Sequence, residues 1–398
     1  MSLIYLDNAA TTFPKPTNVQ NAVSRCLREY CGNSGRGSHP LSLAASQAIY
    51  QCRERLSTFF HADAPENVVF TMNATYAINL ALAGLLHQGD HVLISDLEHN
   101  AVRRPLEALQ SAGVITYSTF STMTGNTDEA KRRNPTRICA CIASALRPNT
   151  RAVICSHQSN LCSVTLPIEE IGAFCQRHGL LFFVDASQSA GHLSVDMQKA
   201  HIDCLCAPGH KGLFGIQGCG FSIFRQGLVP SPLISGGSGY QSLLPTMPEE
   251  LPERLEAGTL PTPAIVGLDA GLDFLRRVGP DAIREHEIVL FNAARERLSR
   301  LKNYHLYFPE TPGSTLLFHR EGIEADRVGQ YLANEGFCVR SGYHCAALAH
   351  QTLGTPAGGA VRISFSYFNH LADVDRLYHC LFNMERTHEL GVSPKSPS

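Results

Sequence analysis

The chain has 398 residues, 44% of them hydrophobic, and a formal net charge of −2 with its 18 histidines taken as neutral. This length can bury a large core and favours two domains. The balanced charge argues against a nucleic-acid-binding surface and against an acidic tail. Residues 1–7 lack the charged and apolar segments of a signal peptide, and no uncharged apolar run reaches the length of a membrane span. We therefore expect a soluble, cytoplasmic protein.

The fourteen cysteines are scattered along the chain, with no C-x-x-C motif and no paired spacing typical of zinc sites. We therefore expect neither a disulfide framework nor a metal centre. Cys139, Cys141, Cys204 and Cys206 lie in apolar stretches. This setting is typical of small buried hydrophobic residues, and we expect most of the thiols to be of that kind.

Apolar runs of strand length alternate with amphipathic segments of helix length through the first two thirds of the chain. The predicted strands are residues 68–70, 91–95, 152–155 and 180–185, and the predicted helices are residues 74–86 and 168–178. The continuous Val, Ile and Phe content of the strands favours a mostly parallel sheet covered on both faces. This pattern predicts a doubly wound α/β domain, in which ligands bind outside the carboxyl ends of the strands.

A Pro-, Gly- and Ser-rich stretch, residues 229–263, precedes a region with a different pattern. The predicted helices there are about 265–278, 281–302, 326–335 and from 372 onward, and the predicted strands are 304–308, 315–319, one ending at 340, and 361–365. These elements predict a smaller α+β domain. The Pro- and Ser-rich tail, residues 391–398, is predicted to be disordered.

Two residues of the first region indicate a cofactor. Lys211 lies in the glycine-flanked segment Gly209-His210-Lys211-Gly212, and Asp185 ends a buried apolar strand upstream of it. Such a lysine can hold an aldehyde cofactor as a Schiff base, and such an aspartate can pair with a protonated pyridine nitrogen. Together they match the two ends of pyridoxal 5′-phosphate (PLP). Taken singly, a solvated loop lysine and a helix-capping aspartate are the simpler interpretations.

Further polar residues follow the predicted strands. Thr75 lies at a helix start, which suits a phosphate, although an ordinary cap by Asn73 explains the same residues. His99 follows the next strand, where its ring could lie on a cofactor face or simply be polar surface. Asn160 and Gln188 follow two further strands and could reach the same crevice.

Seven motifs then occur in a characteristic order. They are residues 5–12, 32–39, 98–99, 185–188, 209–211, 256–259 and 340–346. In order and spacing they resemble the cysteine desulfurases of the NifS/SufS type, PLP-dependent enzymes of the class V aminotransferase family, over nearly the full chain. The resemblance implies fold type I, with a large, mostly parallel seven-stranded α/β/α domain (residues 18–257) and a smaller α+β domain (residues 1–17 and 258–390).

The resemblance implies roles around the cofactor ring. Lys211 would be the Schiff-base lysine, and His99 would stack on the ring. Asp185 would pair with the ring nitrogen. Gln188 and Asn160 would contact the ring or the substrate.

The resemblance also assigns the phosphate and the oligomeric state. Ala74, Thr75 and His210 would bind the phosphate of the cofactor. The segment containing Thr259 would reach the phosphate of a partner subunit, which implies a homodimer with shared active sites. Two of these positions depart from the family pattern, because Ala74 stands where members often have threonine and Pro208 where many have serine. Both changes remove a phosphate-facing hydroxyl.

On the substrate side, Arg362 matches the arginine that binds the substrate carboxylate, for which an arginine fork is the natural bidentate partner. A surface salt bridge is the alternative for this residue. His39 and Arg340 are likewise assigned to the substrate.

Cys345 matches the nucleophile of the family. It lies in a Gly-containing loop between two arginine-bearing strands and next to His344, and we expect these cations to favour the thiolate. The short span from Cys345 to Arg362 resembles the SufS-like subgroup. Tyr343 replaces a frequent histidine beside the nucleophile, which changes the proton chemistry of the loop. A buried thiol is the alternative for any one of the cysteines.

The sequence therefore predicts conversion of L-cysteine to L-alanine, with sulfur passing to Cys345 as a persulfide for delivery to an acceptor protein in iron–sulfur or thiolation pathways. Selenocysteine lyase, acting on L-selenocysteine, and another class V lyase or aminotransferase remain alternatives on the same scaffold. A non-catalytic sulfur carrier is an alternative of a different class.

Overall fold

The structure is a computed structural model that describes residues 3–35, 37–122, 134–307 and 312–389. The chain divides into two compact units. The larger unit comprises Lys15–Gln158 and Thr165–Pro280, and the smaller unit comprises Met1–Pro14, Ser159–Val164 and Asp281–Ser398. Residues 258–280, which the sequence analysis assigned to the smaller domain, thus group with the larger unit.

The helices and strands of the described residues are numbered here in chain order. The α-helices are α1 (Thr17–Glu29), α2 (Pro40–Phe60), α3 (Ala74–Leu85), α4 (Asn100–Ser111), α5 (Pro135–Ala145), α6 (Ile168–Arg177), α7 (Thr262–Val278), α8 (Pro280–Leu298), α9 (Ala325–Asn334), α10 (Ala347–Leu353) and α11 (Leu371–Glu389). The β-strands are β1 (Ile4–Tyr5), β2 (Val68–Thr71), β3 (His91–Ser95), β4 (Thr116–Phe120), β5 (Thr150–Ser156), β6 (Leu181–Asp185), β7 (Cys204–Pro208), β8 (Gly220–Phe224), β9 (Tyr304–Tyr307), β10 (Thr315–Arg320), β11 (Phe337–Cys338), β12 (Arg340–Gly342) and β13 (Ala360–Ser364).

The larger unit is built on a seven-stranded sheet with the strand order β2-β8-β7-β6-β5-β3-β4. Only β8 runs antiparallel to its neighbours in this sheet. Every residue of β3 and β6 is buried, which explains why these two predicted strands are continuous apolar runs in the sequence. The predicted mostly parallel seven-stranded α/β architecture is confirmed.

The predicted segments of this unit match β2, β3, β5, β6, α3 and α6 to within a few residues. Strands β4, β7 and β8 were not predicted. The sequence of the edge strand β4, Thr-Tyr-Ser-Thr-Phe, is largely polar and only Phe120 is buried. As the edge strand, β4 pairs only with β3 among the described strands.

The smaller unit contains an antiparallel sheet with the order β12-β13-β10-β9 and a parallel pair of β1 with β11. Its core includes Leu290, Phe291, Phe318, Phe365 and Leu377, all buried. Burial of each such side chain contributes about 1.5–3 kcal/mol relative to exposure. The predicted α+β character of this region is confirmed.

Two predicted boundaries in the smaller unit are wrong. The strand expected to end at Arg340 is two strands, because β11 pairs with β1 whereas β12 pairs with β13, and the chain changes sheets at Val339. Helix α8 ends at Leu298 rather than near residue 302. Beyond Leu298 the backbone hydrogen bonds change to a three-residue spacing, as between Leu301 N and Leu298 O. Residues 308 and 391–398, for which a strand end and a disordered tail were expected, lie outside the described residues.

All fourteen cysteines lie within the described residues and all are free thiols. Nine are buried, three are half-buried, and only Cys31 and Cys345 are exposed. The expectation that most are buried is confirmed. Across the part of the chain that the structure describes, no helix combines the length and the apolar content needed to traverse a bilayer.

Candidate active site

The residues that the sequence assigned to the site fall into two sets, one in each unit. The larger unit holds His39, Ala74, Thr75, His99, Asp185, Gln188, His210, Lys211 and Thr259. The smaller unit holds Asn160, Arg340, Cys345 and Arg362. Asn160 belongs to the smaller unit although it directly follows β5 of the larger sheet, because the segment Ser159–Val164 groups with the C-terminal elements.

Asp185 is the last residue of β6 and is only 5% exposed. Its neighbours in the ladder are Ser156 at the end of β5 and Cys206 in β7. Its Oδ1 accepts a hydrogen bond from the backbone N–H of Ser187 at 2.9 Å. The sheet thus places a buried carboxylate at the edge formed by the carboxyl ends of its parallel strands, where ligands of such folds bind.

A second buried acid, Glu98, lies at the same edge and was given no role from sequence. It accepts hydrogen bonds at 2.8 Å from both the N–H and the hydroxyl of Ser156, and a further bond from the hydroxyl of Ser95. Burial raises the pKa of Glu98 to about 8; these hydrogen bonds oppose the shift and the charge of Asp185 adds to it. Glu98 therefore links the ends of β3 and β5 as a largely protonated acid near neutral pH.

Lys211 lies in a tight turn after β7. The turn is closed by a hydrogen bond of 2.8 Å from Phe214 N to Lys211 O. A Cβ atom at Gly212 would lie 2.4 Å from the carbonyl oxygen of Ala190, so only glycine fits there. The turn that carries Lys211 is therefore pressed against the segment that follows Gln188.

Positive charge concentrates beside this turn. Lys15 Nζ donates to the carbonyl oxygen of His210 at 2.6 Å. Burial lowers the pKa of Lys15 to about 8. Burial, together with the charges of Lys211 and Lys15, lowers the pKa of His210 to about 4. Near neutral pH the cluster combines the ammonium group of Lys15 with the neutral imidazole of His210. The sequence analysis missed Lys15, because it is 195 residues from its partner and lies in no motif.

Helix α3 begins at this unit's candidate phosphate site. Asn73 caps it, with its side-chain oxygen accepting from Tyr76 N at 2.9 Å, so the ordinary-cap interpretation holds for Asn73. A Cβ at Gly220 of β8 would lie 2.6 Å from the backbone of Asn73, so the helix start packs directly on the sheet. Ala74 is buried, Thr75 is exposed, and the free N–H groups of the first turn suit an anion.

Two of the assigned histidines are helix caps. The Nδ1 atom of His99 accepts from Ala101 N at 3.0 Å and that of His39 accepts from Ser42 N at 3.3 Å. His99 is half-buried, and with its Nδ1 engaged as acceptor its neutral ring carries the proton on Nε2. His39 and Thr259 are exposed, and Gln188 is half-buried.

In the smaller unit, Arg340 and Arg362 lie directly opposite each other on β12 and β13. Opposite residues of an antiparallel pair share one face of the sheet, so two guanidinium-bearing side chains start from the same face. Arg362 is 1% exposed, whereas Arg340 is exposed.

The buried guanidinium of Arg362 is only partly satisfied. Its Nη1 donates to Asn160 O at 3.0 Å and its Nη2 to Asp7 Oδ1 at 2.8 Å. Its Nε is buried and has no hydrogen-bond partner among the described residues. A buried unpaired donor on a cation indicates an acceptor ligand, and a carboxylate suits it. The surface-salt-bridge interpretation is wrong, because this ion pair is formed by a buried side chain. Asp7 was quoted within a motif but given no role.

Cys345 is exposed and follows the buried residue His344. Both residues adopt the left-handed conformation, with φ of 51° at His344 and 55° at Cys345. The amide of Asn160 donates to the carbonyl oxygen of His344 at 3.0 Å. Asn160 therefore links the loop of the candidate nucleophile to Arg362.

The expectation that His344 is a cation that favours the thiolate is wrong. Burial, reinforced by Arg362, lowers the pKa of His344 to about 3. The ring is therefore neutral, and both its nitrogens are engaged, with Arg340 O at 3.1 Å and His350 Nε2 at 3.2 Å. Tyr343, the departure beside it, accepts a hydrogen bond from Gly358 N at 3.0 Å through its hydroxyl. This hydrogen bond connects the loop of Cys345 to the segment that precedes β13.

Comparisons with known proteins identify the family of the chain. The family model of the class V aminotransferases matches residues 4–377. A Methanothermobacter thermautotrophicus protein named "Probable cysteine desulfurase" is 33% identical over 389 residues, covering 94% of this chain and 92% of the relative. A cysteine desulfurase of Salmonella gallinarum is 30% identical over 400 residues, covering 97% and 94%.

Solved structures give the same result. The apo cysteine desulfurase of Thermococcus onnurineus NA1 superposes with a TM-score of 0.86 at 28% identity, covering 96% of this chain and 95% of that one. The Escherichia coli cysteine desulfurase CsdA gives a TM-score of 0.84 at 25% identity, covering 98% and 95%. With its family model matched almost from end to end, the chain belongs to the class V aminotransferase family.

Proposed function

We propose that this protein is a PLP-dependent cysteine desulfurase that converts L-cysteine to L-alanine and receives the sulfur on Cys345. The observation that carries the proposal is the hydrogen-bonded set of Arg362, Asn160 and the Cys345 loop in the smaller unit. This set links the buried guanidinium of Arg362, which has an unpaired donor, to the loop that carries the exposed thiol of Cys345. An aminotransferase needs the arginine but not the thiol, whereas a desulfurase needs both.

The larger unit fits the cofactor. When bound, PLP supplies an electron sink for negative charge at the substrate Cα. The turn of Lys211 provides a covalent anchor, the buried Asp185 a partner for the ring nitrogen, and the start of α3 with the Lys15–His210 cluster a site for a dianionic phosphate. The residues proposed to hold the group are Ala74, Thr75, His99, Asp185, Gln188, His210 and Lys211.

Arg362 binds the α-carboxylate of L-cysteine in this proposal. Its fork is held on two sides by Asn160 and Asp7, so its orientation is set before the substrate arrives. A hydrogen bond to a charged group is worth about 1.5–3 kcal/mol. Arg340, opposite it on β12, adds positive charge for the same anion.

Lys211 then accepts the proton from the substrate Cα as general base. The Cys345 thiolate attacks the substrate sulfur, and an S–S bond forms as the C–S bond breaks. The electron pair of the broken bond stays on the substrate carbon, which takes up a proton to become the methyl group of alanine. Cys345 carries the sulfur away as a persulfide, and its exposure suits transfer to an acceptor protein.

We further propose a homodimer with shared sites. Large apolar side chains of the larger unit are exposed, among them Leu43, Met72, Leu243 and Leu244. Such side chains mark protein interaction sites when they occur together. The exposure of Thr259 fits a segment that contacts the phosphate of a partner subunit. The short span from Cys345 to Arg362 supports the SufS-like subgroup, and fourteen free thiols fit a reducing compartment such as the cytoplasm.

The test supplies the PLP-loaded protein with L-cysteine and a reductant, and measures alanine and sulfide together. Equal amounts of both are expected, and mass spectrometry without reductant should find one added sulfur atom on the peptide that contains Cys345. Sulfide released with pyruvate instead of alanine would contradict the proposal, because it indicates β-elimination. Release of selenium from L-selenocysteine without sulfide from L-cysteine would identify a selenocysteine lyase instead.

A further inference from the structure

A chain of hydrogen bonds runs from Thr355 through two histidine rings to the backbone of β12. Thr355 Oγ1 lies 2.8 Å from His350 Nδ1, and His350 Nε2 lies 3.2 Å from His344 Nδ1. His344 Nε2 lies 3.1 Å from the carbonyl oxygen of Arg340. The two rings are nearly parallel, with an interplanar angle of 10°. All these groups belong to the smaller unit.

With both rings neutral, one arrangement of protons satisfies this chain of hydrogen bonds. A carbonyl oxygen only accepts, so His344 Nε2 carries the hydrogen and donates to Arg340 O. The Nδ1 atom of a neutral His344 then accepts, and His350 Nε2 must donate to it. The Nδ1 atom of a neutral His350 accepts in turn, and the hydroxyl of Thr355 donates to it. Protonation of His344 would set two N–H groups against each other, whereas a protonated His350 would need Thr355 Oγ1 to accept from Nδ1 and its hydroxyl to turn toward His350 O, 3.4 Å away.

Burial agrees with neutral rings. His344 is 4% exposed and His350 is 2% exposed. Burial lowers the pKa of His350 to about 4. For His344, with its pKa of about 3, burial is reinforced by the charges of Arg362, His350 and Arg340, while the hydrogen bond to Arg340 O opposes the shift. The two histidines of this hydrogen-bond chain therefore stay neutral throughout the physiological pH range.

The hydrogen-bond chain ends at two residues whose backbone is strained. His344 and Cys345 are consecutive non-glycine residues in the left-handed conformation, which is unfavourable for residues other than glycine. Such a conformation persists only where the surroundings determine it. The ring of His344 is held at both nitrogens, and its carbonyl oxygen is held by Asn160. Cys345 itself is exposed, so its position depends on the residue before it.

We propose that His350 is a positioning residue for the nucleophile: as a neutral relay between Thr355 and His344, it holds the left-handed pair that presents the Cys345 thiol. The inference rests on the proposed function in that it takes Cys345 as the nucleophile. His350 touches neither substrate nor cofactor in this role. It acts through His344.

The experiment measures two properties of the PLP-loaded protein. One is the rate at which iodoacetamide alkylates Cys345, followed by peptide mass spectrometry from about pH 5 to about pH 9, a range that covers the ordinary histidine and cysteine pKa values. The other is the division between kcat and KM for desulfuration of L-cysteine. The variants are His350→Ala, His350→Gln and Thr355→Val.

The wild type should show one inflection, from the thiol. In His350→Ala the donor to His344 Nδ1 is lost and water can enter, so His344 should titrate near its ordinary pKa of about 6.5 and add a second inflection. The kcat should fall about 10–100-fold, because small displacements of a reacting group are costly, while KM changes less than about twofold.

His350→Gln is the matched control. Its amide N–H can take the place of Nε2–H as donor to His344, so it should keep the single inflection and most of kcat. Thr355→Val removes the hydroxyl that selects the His350 tautomer and should produce a smaller loss of the same kind. Thermal unfolding of each variant verifies that it is folded.

A His350→Ala variant with the wild-type alkylation profile and kcat would overturn the proposal, and so would equal losses in the Ala and Gln variants, which indicate a packing role. If His350→Ala does not fold, Thr355→Val decides the matter, and an unchanged kcat there counts against the relay. Failure of the proposed function is distinguishable, because it shows as a wild type without persulfide on Cys345, whereas the alkylation profiles do not depend on turnover.

Discussion

The two units position their chemical groups by different means. In the larger unit, Asp185 ends the buried strand β6, and the backbone ladders to β5 and β7 determine where it lies. In the smaller unit, Cys345 lies in a loop held by side-chain hydrogen bonds from Asn160 and through His344. A sheet edge tolerates changes in single side chains, whereas a loop of this kind depends on each bond.

The two units nevertheless use burial in the same way. Burial raises the pKa of the acid Glu98 to about 8 and lowers the pKa of the base His344 to about 3, so both are held mainly in their neutral forms near pH 7. The buried charge of Arg362 persists because Asp7 offsets its desolvation. Buried groups thus serve as neutral supports unless a partner of opposite charge stabilises them.

The largest expected effect comes from Lys211 in the larger unit. Lys211→Ala should lower kcat by about 10⁴-fold or more, because the variant loses both the covalent anchor and the general base. Lys15→Met is the matched control from the same cluster and should retain the covalent attachment. Borohydride reduction of the PLP-loaded protein followed by peptide mapping checks this. A label on Lys15 instead of Lys211 would remove the assignment.

Cys345→Ser tests the loop of the smaller unit. Sulfide and alanine production should fall by about 10³-fold, because a serine hydroxyl is barely ionised near neutral pH and is a poor nucleophile toward sulfur. The absorbance of the bound cofactor and the binding of L-cysteine should not change. Cys31→Ser, at the other exposed cysteine, is the control and should behave as wild type. Full activity of Cys345→Ser, or a persulfide found elsewhere, contradicts the assignment.

Arg362→Lys separates the fork from the charge. The lysine keeps a positive charge but lacks the planar fork that binds a carboxylate with two parallel hydrogen bonds, so KM for L-cysteine should rise about 10–100-fold, corresponding to about 1.5–3 kcal/mol. Arg340→Lys, the same change at the exposed arginine opposite, should have a smaller effect. Steady-state kinetics and thermal unfolding are measured together. An unchanged KM in Arg362→Lys would make this residue purely structural.

In both units the sequence predicted elements with a strong local signal better than pairings between distant strands, for a physical reason. Strands buried on both faces carry their apolar signal locally, so β3 and β6 were recognised together with the polar residues that follow them. The change of sheets at Val339 depends on which distant strands are available as partners, and no local pattern encodes it.

The same limit applies to the site. Lys211, Asp185 and Cys345 lie in motifs, but the Asp7–Arg362 pair spans 355 residues of sequence, and His350 lies in no recognised motif. The neutral state of His344 was predicted wrongly, because the degree of burial of a loop residue is not visible in its neighbours along the chain. The roles of Asp7, His344 and His350 follow from their contacts in the folded protein more than from their residue types.

The last expected effect concerns stability rather than activity, and it tests burial directly: it is the pH dependence of stability due to Glu98. Its pKa in the folded protein is raised, to about 8, above the ordinary value of 4.5. Its stabilising contribution is therefore complete below about pH 4.5 and is lost as the pH rises through about 8.

Glu98→Gln keeps most of the hydrogen bonds but cannot ionise. The free energy of unfolding of the wild type should accordingly fall more steeply from about pH 5 to about pH 9 than that of the variant, by an amount on the order of a few kcal/mol. Urea unfolding of the PLP-loaded proteins measures the difference. Glu54→Gln, at an exposed position on α2, is the control and should run parallel to wild type. Parallel curves for Glu98→Gln as well would show that this carboxyl is ionised in the folded protein, and that the sheet edge tolerates a buried charge beside Asp185.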